Sequence, residues 1–192
     1  GDLLLIDQVI ENDNRVNLLE IELDEACNQV IAKRQPTAVD LRMVSTVQKT
    51  ITDLERIGDE AKTTAKTAKL QHSTQSSFTP PIRLSHIADA VVDMLRTALD
   101  AYARLDTVSA AQVVRQDKEV DAEFKGIMRQ LITYMMEDPR TISQAIELMF
   151  VAKSVERIGD HAKNIAEYVV YMVKGRDVRH TSLEEIEREA MR

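Results

Sequence analysis

The sequence has few of the residues that make turns and strands. Only 5 Gly and 4 Pro occur in 192 residues, aromatic residues make up 4%, and Trp is absent. Sandwiches and barrels need many turns and many β-branched or aromatic strand residues, so this composition argues against an all-β fold. Because 44% of the residues are hydrophobic, the chain still has enough apolar side chains for a core, which argues against extended disorder.

Cysteine, long apolar runs and excess positive charge are also lacking. The single Cys27 excludes an intramolecular disulfide framework and is expected in a core. No run of roughly 18 apolar residues occurs, so no membrane-spanning segment is predicted, and no signal peptide is recognisable. The formal net charge of −7 argues against nucleic acid as the main partner.

Proline and glycine lie mostly at the joints between long helical tracts. Apolar residues recur at spacings of three, four and seven, which is the pattern of amphipathic helices. The first apolar stripe, predicted to face the core, contains Leu5, Val9, Val16, Leu19, Leu23, Ala26 and Val30. Five long helices are predicted, from about Asp2 to Arg34, Pro36 to Gln71, Leu84 to Leu105, Ser109 to Met136 and Pro139 to Lys174.

The chain repeats itself. Asp2, Gln8, Val9, Asp13 and Val16 recur as Asp106, Gln112, Val113, Asp117 and Val120, at an offset of 104. The motif Glu55-Arg-Ile-Gly-Asp59 recurs as Glu156-Arg-Ile-Gly-Asp160, at an offset of 101. Such self-similarity predicts two copies of one structural unit, in which Glu55 superposes on Glu156 and Asp59 on Asp160.

The repeat predicts an all-α protein made of two tandem three-helix bundles. We expect a first bundle over residues 1–72, a polar linker over 73–83, and a second bundle over 84–175. A tail over 176–192 contains Ser182-Leu-Glu-Glu185, which predicts a capped short helix. The second unit has a helix before its repeat that the first unit lacks, so the first helix of the first bundle is expected to be absent from this chain.

Acidic pairs mark the same positions in both units. Glu55 and Asp59 lie four residues apart on one helix face, as do Glu156 and Asp160. Matching pairs occur one helix earlier, at Asp13 and Asn17 in the first unit and at Asp117 and Asp121 in the second. Helical projection places these pairs beside the helix contact rather than in the core.

A hard cation would turn the repulsion between these acids into coordination. Oxygen ligands favour Mg, Mn, Ca or Fe over a zinc-finger type of site. In that case Gly58 and Gly159 would permit close approach of a helix or a ligand, and His161 would be a further candidate ligand. Because Asn17 leaves the first set one charge short, the second set is expected to bind metal more tightly.

The alternative is that the acids are ordinary charges neutralised by neighbouring bases. Arg56 and Arg157, or Lys62 and Lys163, are placed to form such pairs. No residue pattern indicates a catalytic site: neither a helical E-x-x-H pair nor a nucleotide-binding glycine motif occurs.

The paired ERIGD motifs, each followed by an A-K-x-x-A run, resemble the PhoU family of phosphate-uptake regulators. The likeness extends from Asp2 to about His180. Further segments that carry it are 16–22 (VNLLEIE), 32–36 (AKRQP), 134–139 (YMMEDP) and 161–168 (HAKNIAEY).

This resemblance implies a cytoplasmic, non-enzymatic negative regulator that lies at the inner membrane through its partners. Those partners would be the ATPase subunit of the high-affinity phosphate ABC transporter and a phosphate-sensing histidine kinase, with a homodimer expected. It also implies that Mg, Mn or Fe binds through E/D-x-x-x-D motifs. That ligand set falls on Asp13, Asn17, Glu55, Asp59, Asp117, Asp121, Glu156 and Asp160, where Asn17 departs from the acidic pattern.

Two rival functions remain open at this stage. The first is a metal-dependent enzyme, such as a di-metal oxidase or phosphohydrolase, which would need an open coordination position and a general base within hydrogen-bond reach. No His or Lys is placed for that role on the matching helix faces of both repeat units. The second is a helical scaffold whose acids are merely solvated.

Overall fold

The computed structural model describes residues 2–73 and 82–191, and all regular secondary structure in these ranges is helical. The all-α prediction is therefore confirmed. The predicted linker over 73–83 falls mostly on residues outside the described part. The helices are α1 (Leu3–Arg34), α2 (Ala38–Ser73), α3 (Leu84–Arg104), α4 (Thr107–Glu137), α5 (Ile142–Lys174) and α6 (Leu183–Ala190), and a 3-10 turn (Pro139–Thr141) leads into α5.

Side-chain caps define several helix ends and repeat between the two halves. Asp2 accepts hydrogen bonds from the backbone N–H groups of the first turn of α1, and its repeat equivalent Asp106 does the same for α4. Gly175 ends α5 in the left-handed region, with φ 75°. Helix α2 begins at Ala38, so Pro36 lies before the helix and not in its first turn as predicted.

The second half is a bundle of three helices with an apolar core. Helices α3, α4 and α5 pack against one another, and α6 lies against α4 and α5. The largest fully buried side chains include Ile87, Met94, Leu131 and Ile165 from the bundle and Ile186 from α6. Burial of Ile186 and the hydrogen bond that the Thr107 hydroxyl donates to the backbone carbonyl oxygen of Ala190 hold α6 against the bundle.

In the first half, the apolar stripe predicted for α1 is largely exposed. Leu5, Leu19 and Leu23 are 57%, 54% and 44% exposed. Helix α1 packs only against α2 among the helices of the described ranges, and the side it turns toward α2 buries Asp13 and Cys27 instead. A stripe read from spacing alone does not say which side of a helix has a neighbour. The prediction that Cys27 is a core residue is confirmed.

The two halves meet where α2 packs against α5 in antiparallel order. Lys49 Nζ lies 5.7 Å from the centre of the Tyr168 ring, and Asn164 Nδ2 lies 3.2 Å from Asp53 Oδ1. Further along, Arg157 Nη1 lies 2.7 Å from an oxygen of Glu60. The last helix of each half is thus brought alongside its own repeat copy.

Within the described ranges, no helix combines the length and the apolar character needed to cross a bilayer.

Candidate acidic sites

The first acidic cluster lies between α1 and α2. The carboxylate of Asp13 is 2% exposed, and its Oδ2 accepts a hydrogen bond from Lys62 Nζ at 2.5 Å. Asn17, one turn along α1, donates to the same oxygen at 3.5 Å. Because α1 and α2 run antiparallel, Glu55 and Asp59 lie opposite this pair on the other helix, and the charges of Asp59 and Asp13 both act on Glu55.

The second half repeats this arrangement between α4 and α5. Lys163 Nζ lies 2.8 Å from Asp117 Oδ2, which is the repeat equivalent of the bond between Lys62 and Asp13. A Cβ built at Gly159 would lie 3.7 Å from Val120 Cγ1, and one at Gly58 would lie 3.6 Å from the equivalent atom of Val16. Equivalent contacts in both halves confirm that the ERIGD motifs occupy corresponding helices.

Three of the predicted acids are buried, contrary to the expectation that they flank the helix contact. Asp117 is 5% exposed and Glu156 is 8% exposed, and Asp13 is buried as described above. Burial of a carboxylate is costly unless it is paired. The lysines supply that pairing: Lys62 and Lys163 contact the two aspartates, and Lys153 forms an ion pair with Glu156.

Crowding of acids shifts the carboxyl pKa values in both clusters. Burial, and then the charges of Asp59 and Glu20, raise the pKa of Glu55 above its ordinary value. Burial, and then the charges of Glu156 and Asp117, raise the pKa of Asp160. Each cluster therefore stores electrostatic repulsion that a cation would relieve.

The fit of these residues to a metal ion is partial. Asp13 Oδ1 and Asn17 Oδ1 are buried oxygens with no hydrogen-bond partner, which is the chemistry of an oxygen-ligand site. However, the described part of the chain contains no group of three His, Cys, Asp or Glu side chains arranged to hold a metal ion. The ammonium groups of Lys62 and Lys163 contact Asp13 and Asp117, as expected if neighbouring bases neutralise the acids. Metal binding stays a prediction.

Glu20 was not among the residues predicted from the sequence, and it adds a carboxylate to the first acidic cluster. Glu20 lies seven residues after Asp13 on the same face of α1, and its charge acts on Glu55. The spacing of Asp13, Asn17 and Glu20 was the available signal. The equivalent position in the second half is Phe124, which Lys153 Nζ approaches at 5.4 Å from the ring centre. The carboxylates that act on one another in the first cluster are those of Asp13, Glu20, Glu55 and Asp59, and the bases that oppose them are Lys62 and Arg56. In the second cluster the corresponding carboxylates are those of Asp117, Glu156 and Asp160, and the bases are Lys153 and Lys163.

His161, a candidate ligand, contacts a residue that the sequence did not single out. Its Nδ1 lies 2.6 Å from Asp53 Oδ1, across the contact between α5 and α2. Burial acts to raise the pKa of Asp53, but hydrogen bonds from His161, Asn164 and Tyr168 outweigh it and hold that pKa below its ordinary value. His161 therefore joins the two halves through Asp53.

A cavity of about 310 Å³ adjoins the second cluster, between α4, α5 and the segment that leads to α6. Asp117, Lys163, Glu167 and Arg179 are among the residues that line it. Burial raises the pKa of Glu167 to about 7, with Lys163 opposing that shift. No sequence pattern indicated Glu167, because the cavity forms only where residues of the tail pack against α4 and α5.

Comparisons with known proteins agree with this repeated architecture. The family model described as the PhoU domain matches residues 1–68 and 84–169. The phosphate-specific transport system accessory protein PhoU of Serratia marcescens is 48% identical over 186 residues, covering 96% of this chain and 75% of that protein. The protein of the same name from Escherichia coli is 47% identical over 184 residues, covering 96% of this chain and 76% of its own length.

Solved structures show the same fold. The crystal structure of PhoU from Pseudomonas aeruginosa matches with a TM-score of 0.87 and 45% identity, covering 91% of this chain and 84% of that chain. The phosphate transport system regulatory protein PhoU from Streptococcus pneumoniae matches with a TM-score of 0.83 at 23% identity, covering 92% and 83%. At that identity the second match supports the fold alone.

Proposed function

Because the chain belongs to the PhoU family, we propose that it is a regulatory accessory protein of a phosphate transport system. In this proposal it represses phosphate uptake and phosphate-starvation genes when phosphate is plentiful. The observation that carries the proposal is the 48% identity to a named accessory protein over 96% of this chain. The sequence identity extends over both halves and both ERIGD motifs, so a single amphipathic helix pattern does not account for it.

The proposed mechanism is that of an adaptor and not of a catalyst. The protein would contact the ATPase subunit of the phosphate transporter and a phosphate-sensing histidine kinase, as a homodimer at the cytoplasmic side of the inner membrane. The family resemblance supports these partners, and the word accessory in the relatives' names supports a role without turnover. Two long helical units in series suit this role because they offer two separate surfaces.

A metal ion of the Mg, Mn or Fe type is proposed as a structural group of the acidic clusters. The unpartnered oxygens of Asp13 and Asn17 and the raised pKa values of Glu55 and Asp160 support it. A bound cation would supply the positive charge that these carboxylates lack. Lys62 is 25% exposed at its side chain, so its ammonium can turn to solvent and leave Asp13 free to coordinate.

A deletion strain tests the regulatory proposal. In phosphate-rich medium, alkaline phosphatase output should rise in the strain that lacks this protein, and the wild-type gene should restore repression. An Arg15→Gln variant is a suitable control because Arg15 is exposed and lies outside the acidic clusters. Unchanged alkaline phosphatase output in the deletion strain would contradict the proposal.

A further inference from the structure

A cleft of about 470 Å³ lies between α2 and α5, on the side where the arginines of the two ERIGD motifs project. Its walls carry more positive than negative charge: Arg56, Lys62, Lys66 and Arg157 against Asp59 and Glu60. The whole chain has a formal net charge of −7, so this local excess of positive charge runs against the rest of the molecule. Because Lys62 and Asp59 also belong to the first acidic cluster, the bases of the cleft that can attract an anion are Arg56, Lys66 and Arg157.

Two of the four bases already have partners. Lys62 binds Asp13 at 2.5 Å, and Arg157 binds Glu60 at 2.7 Å. Arg56 and Lys66 form no hydrogen bond or ion pair with any residue in the ranges 2–73 and 82–191. Their donors therefore face the cleft without a fixed acceptor.

The repeat explains why Arg56 is left over. Arg56 and Arg157 are repeat equivalents, and so are Glu60 and His161, both at the offset of 101. The antiparallel order of α2 and α5 sets Glu60 opposite Arg157, and by the same register it sets His161 opposite Arg56. Arg157 binds a carboxylate, whereas the side chain opposite Arg56 is an imidazole, whose Nδ1 contacts Asp53 at 2.6 Å. The cleft therefore lacks one anion that its own symmetry would provide.

The donors at this place define the chemistry of the missing group. Guanidinium groups bind carboxylate and phosphate oxygens through paired N–H bonds, and the ammonium of Lys66 and the hydroxyl of Thr63 add donors from the same helix. The exposed carboxylate of Asp59 also lines the cleft. A carboxylate repels an anion that carries no proton, but it accepts a hydrogen bond from the P–OH group of hydrogen phosphate. This combination favours phosphate over sulfate.

We propose that the cleft between α2 and α5 is a binding site for a phosphoryl group, held chiefly by Arg56, with Lys66 as a further positive charge along the same cleft. The occupant takes the place of the carboxylate that Arg56 lacks. The group is inorganic phosphate or the phosphate of a small ester. This proposal is independent of the adaptor role, because binding of phosphate to the isolated protein tests it without any protein partner.

Isothermal titration of the full chain at low ionic strength tests the site, with inorganic phosphate, glycerol phosphate and sulfate as separate titrants. Wild-type protein should bind inorganic phosphate or the ester, and sulfate at least tenfold more weakly. Stronger binding of one phosphate compound than of the other identifies the source of the group. Equal binding of sulfate, or no binding of any titrant, would overturn the proposal.

Matched variants locate the binding. Arg56→Gln should lower the affinity for phosphate about tenfold, since it removes a charged hydrogen-bond donor. Lys66→Glu should weaken binding, because it replaces a positive charge of the cleft with a negative one, and it should leave the fold intact, because Lys66 is exposed. Arg15→Gln removes the same charge from exposed α1 and should leave affinity within twofold of the wild type. An equal loss in Arg15→Gln, or none in Arg56→Gln, would contradict the assignment.

Discussion

Lys163 reaches across the contact between α5 and α4 to place its ammonium 2.8 Å from the Oδ2 of Asp117. The same bond is present in the first half, where Lys62 meets Asp13. Because the aspartate in each pair is buried, the lysine is the group that makes its charge tolerable. The repeated motif therefore preserves an ion pair between neighbouring helices as well as a row of acids.

Lys163→Gln should destabilise the protein, because it leaves the carboxylate of Asp117 buried without its cation. The expected loss is about 1–3 kcal/mol in the free energy of unfolding. Urea denaturation of the single variants and of Lys163→Gln combined with Asp117→Asn measures the coupling. If the effects of the two single changes simply add, the ion pair contributes nothing beyond its separate side chains.

The first acidic cluster should bind a divalent cation more tightly than the second. This reverses the expectation from Asn17, because Glu20 gives the first cluster four interacting carboxylates against three in the second, with two bases in each. After chelation, titration with Mn²⁺ should show a larger loss of affinity in Asp59→Ala than in Asp160→Ala. Glu20→Gln should also lower the affinity of the first cluster for Mn²⁺. A larger loss in Asp160→Ala would show that the charge count does not set the order.

Glu167 should make the protein less stable as the pH rises. Its pKa is raised to about 7 in the folded protein from an ordinary value of 4.5, so folding favours the protonated form. The stabilisation is complete below pH 4.5 and is lost between there and about pH 7. Glu167→Gln should therefore leave stability unchanged near pH 4 and raise it by about 2–3 kcal/mol near pH 8. An equal gain at both values would exclude titration of Glu167 as the cause.

Gly58→Ala should stabilise α2, although sequence reasoning expected Gly58 to allow close approach. An added Cβ would lie 3.5 Å from Asp13 Oδ1 and 3.6 Å from Val16 Cγ1, which are ordinary contact distances. The gain in helix propensity should then appear as about 0.5–1 kcal/mol in thermal or urea unfolding. Gly126→Ala in α4 is the matched control, since a Cβ there meets no atom within 4 Å. If Gly58→Ala destabilises while Gly126→Ala stabilises, close helix approach does require Gly58.

Local and periodic features of the sequence predicted most of the fold. The predicted cap of α6 at Ser182 acts within a few residues, so its signal is complete in the sequence. The ERIGD repeat identified the corresponding helices because a repeated motif marks equivalent positions in the two units. Other features depend on which helix lies alongside, and no local pattern contains that information. Examples are the exposure of Leu19, the effect of Glu20 on Glu55, and the contact of His161 with Asp53.

Co-purification tests the adaptor proposal most directly. The full chain, carrying an affinity tag, is expressed in cells that contain the phosphate transporter and the sensor kinase, and the captured proteins are identified by mass spectrometry. The proposal predicts that the ATPase subunit and the histidine kinase are both retained, and that Arg15→Gln retains them equally. Recovery of neither protein with a folded, correctly expressed chain would contradict the proposal.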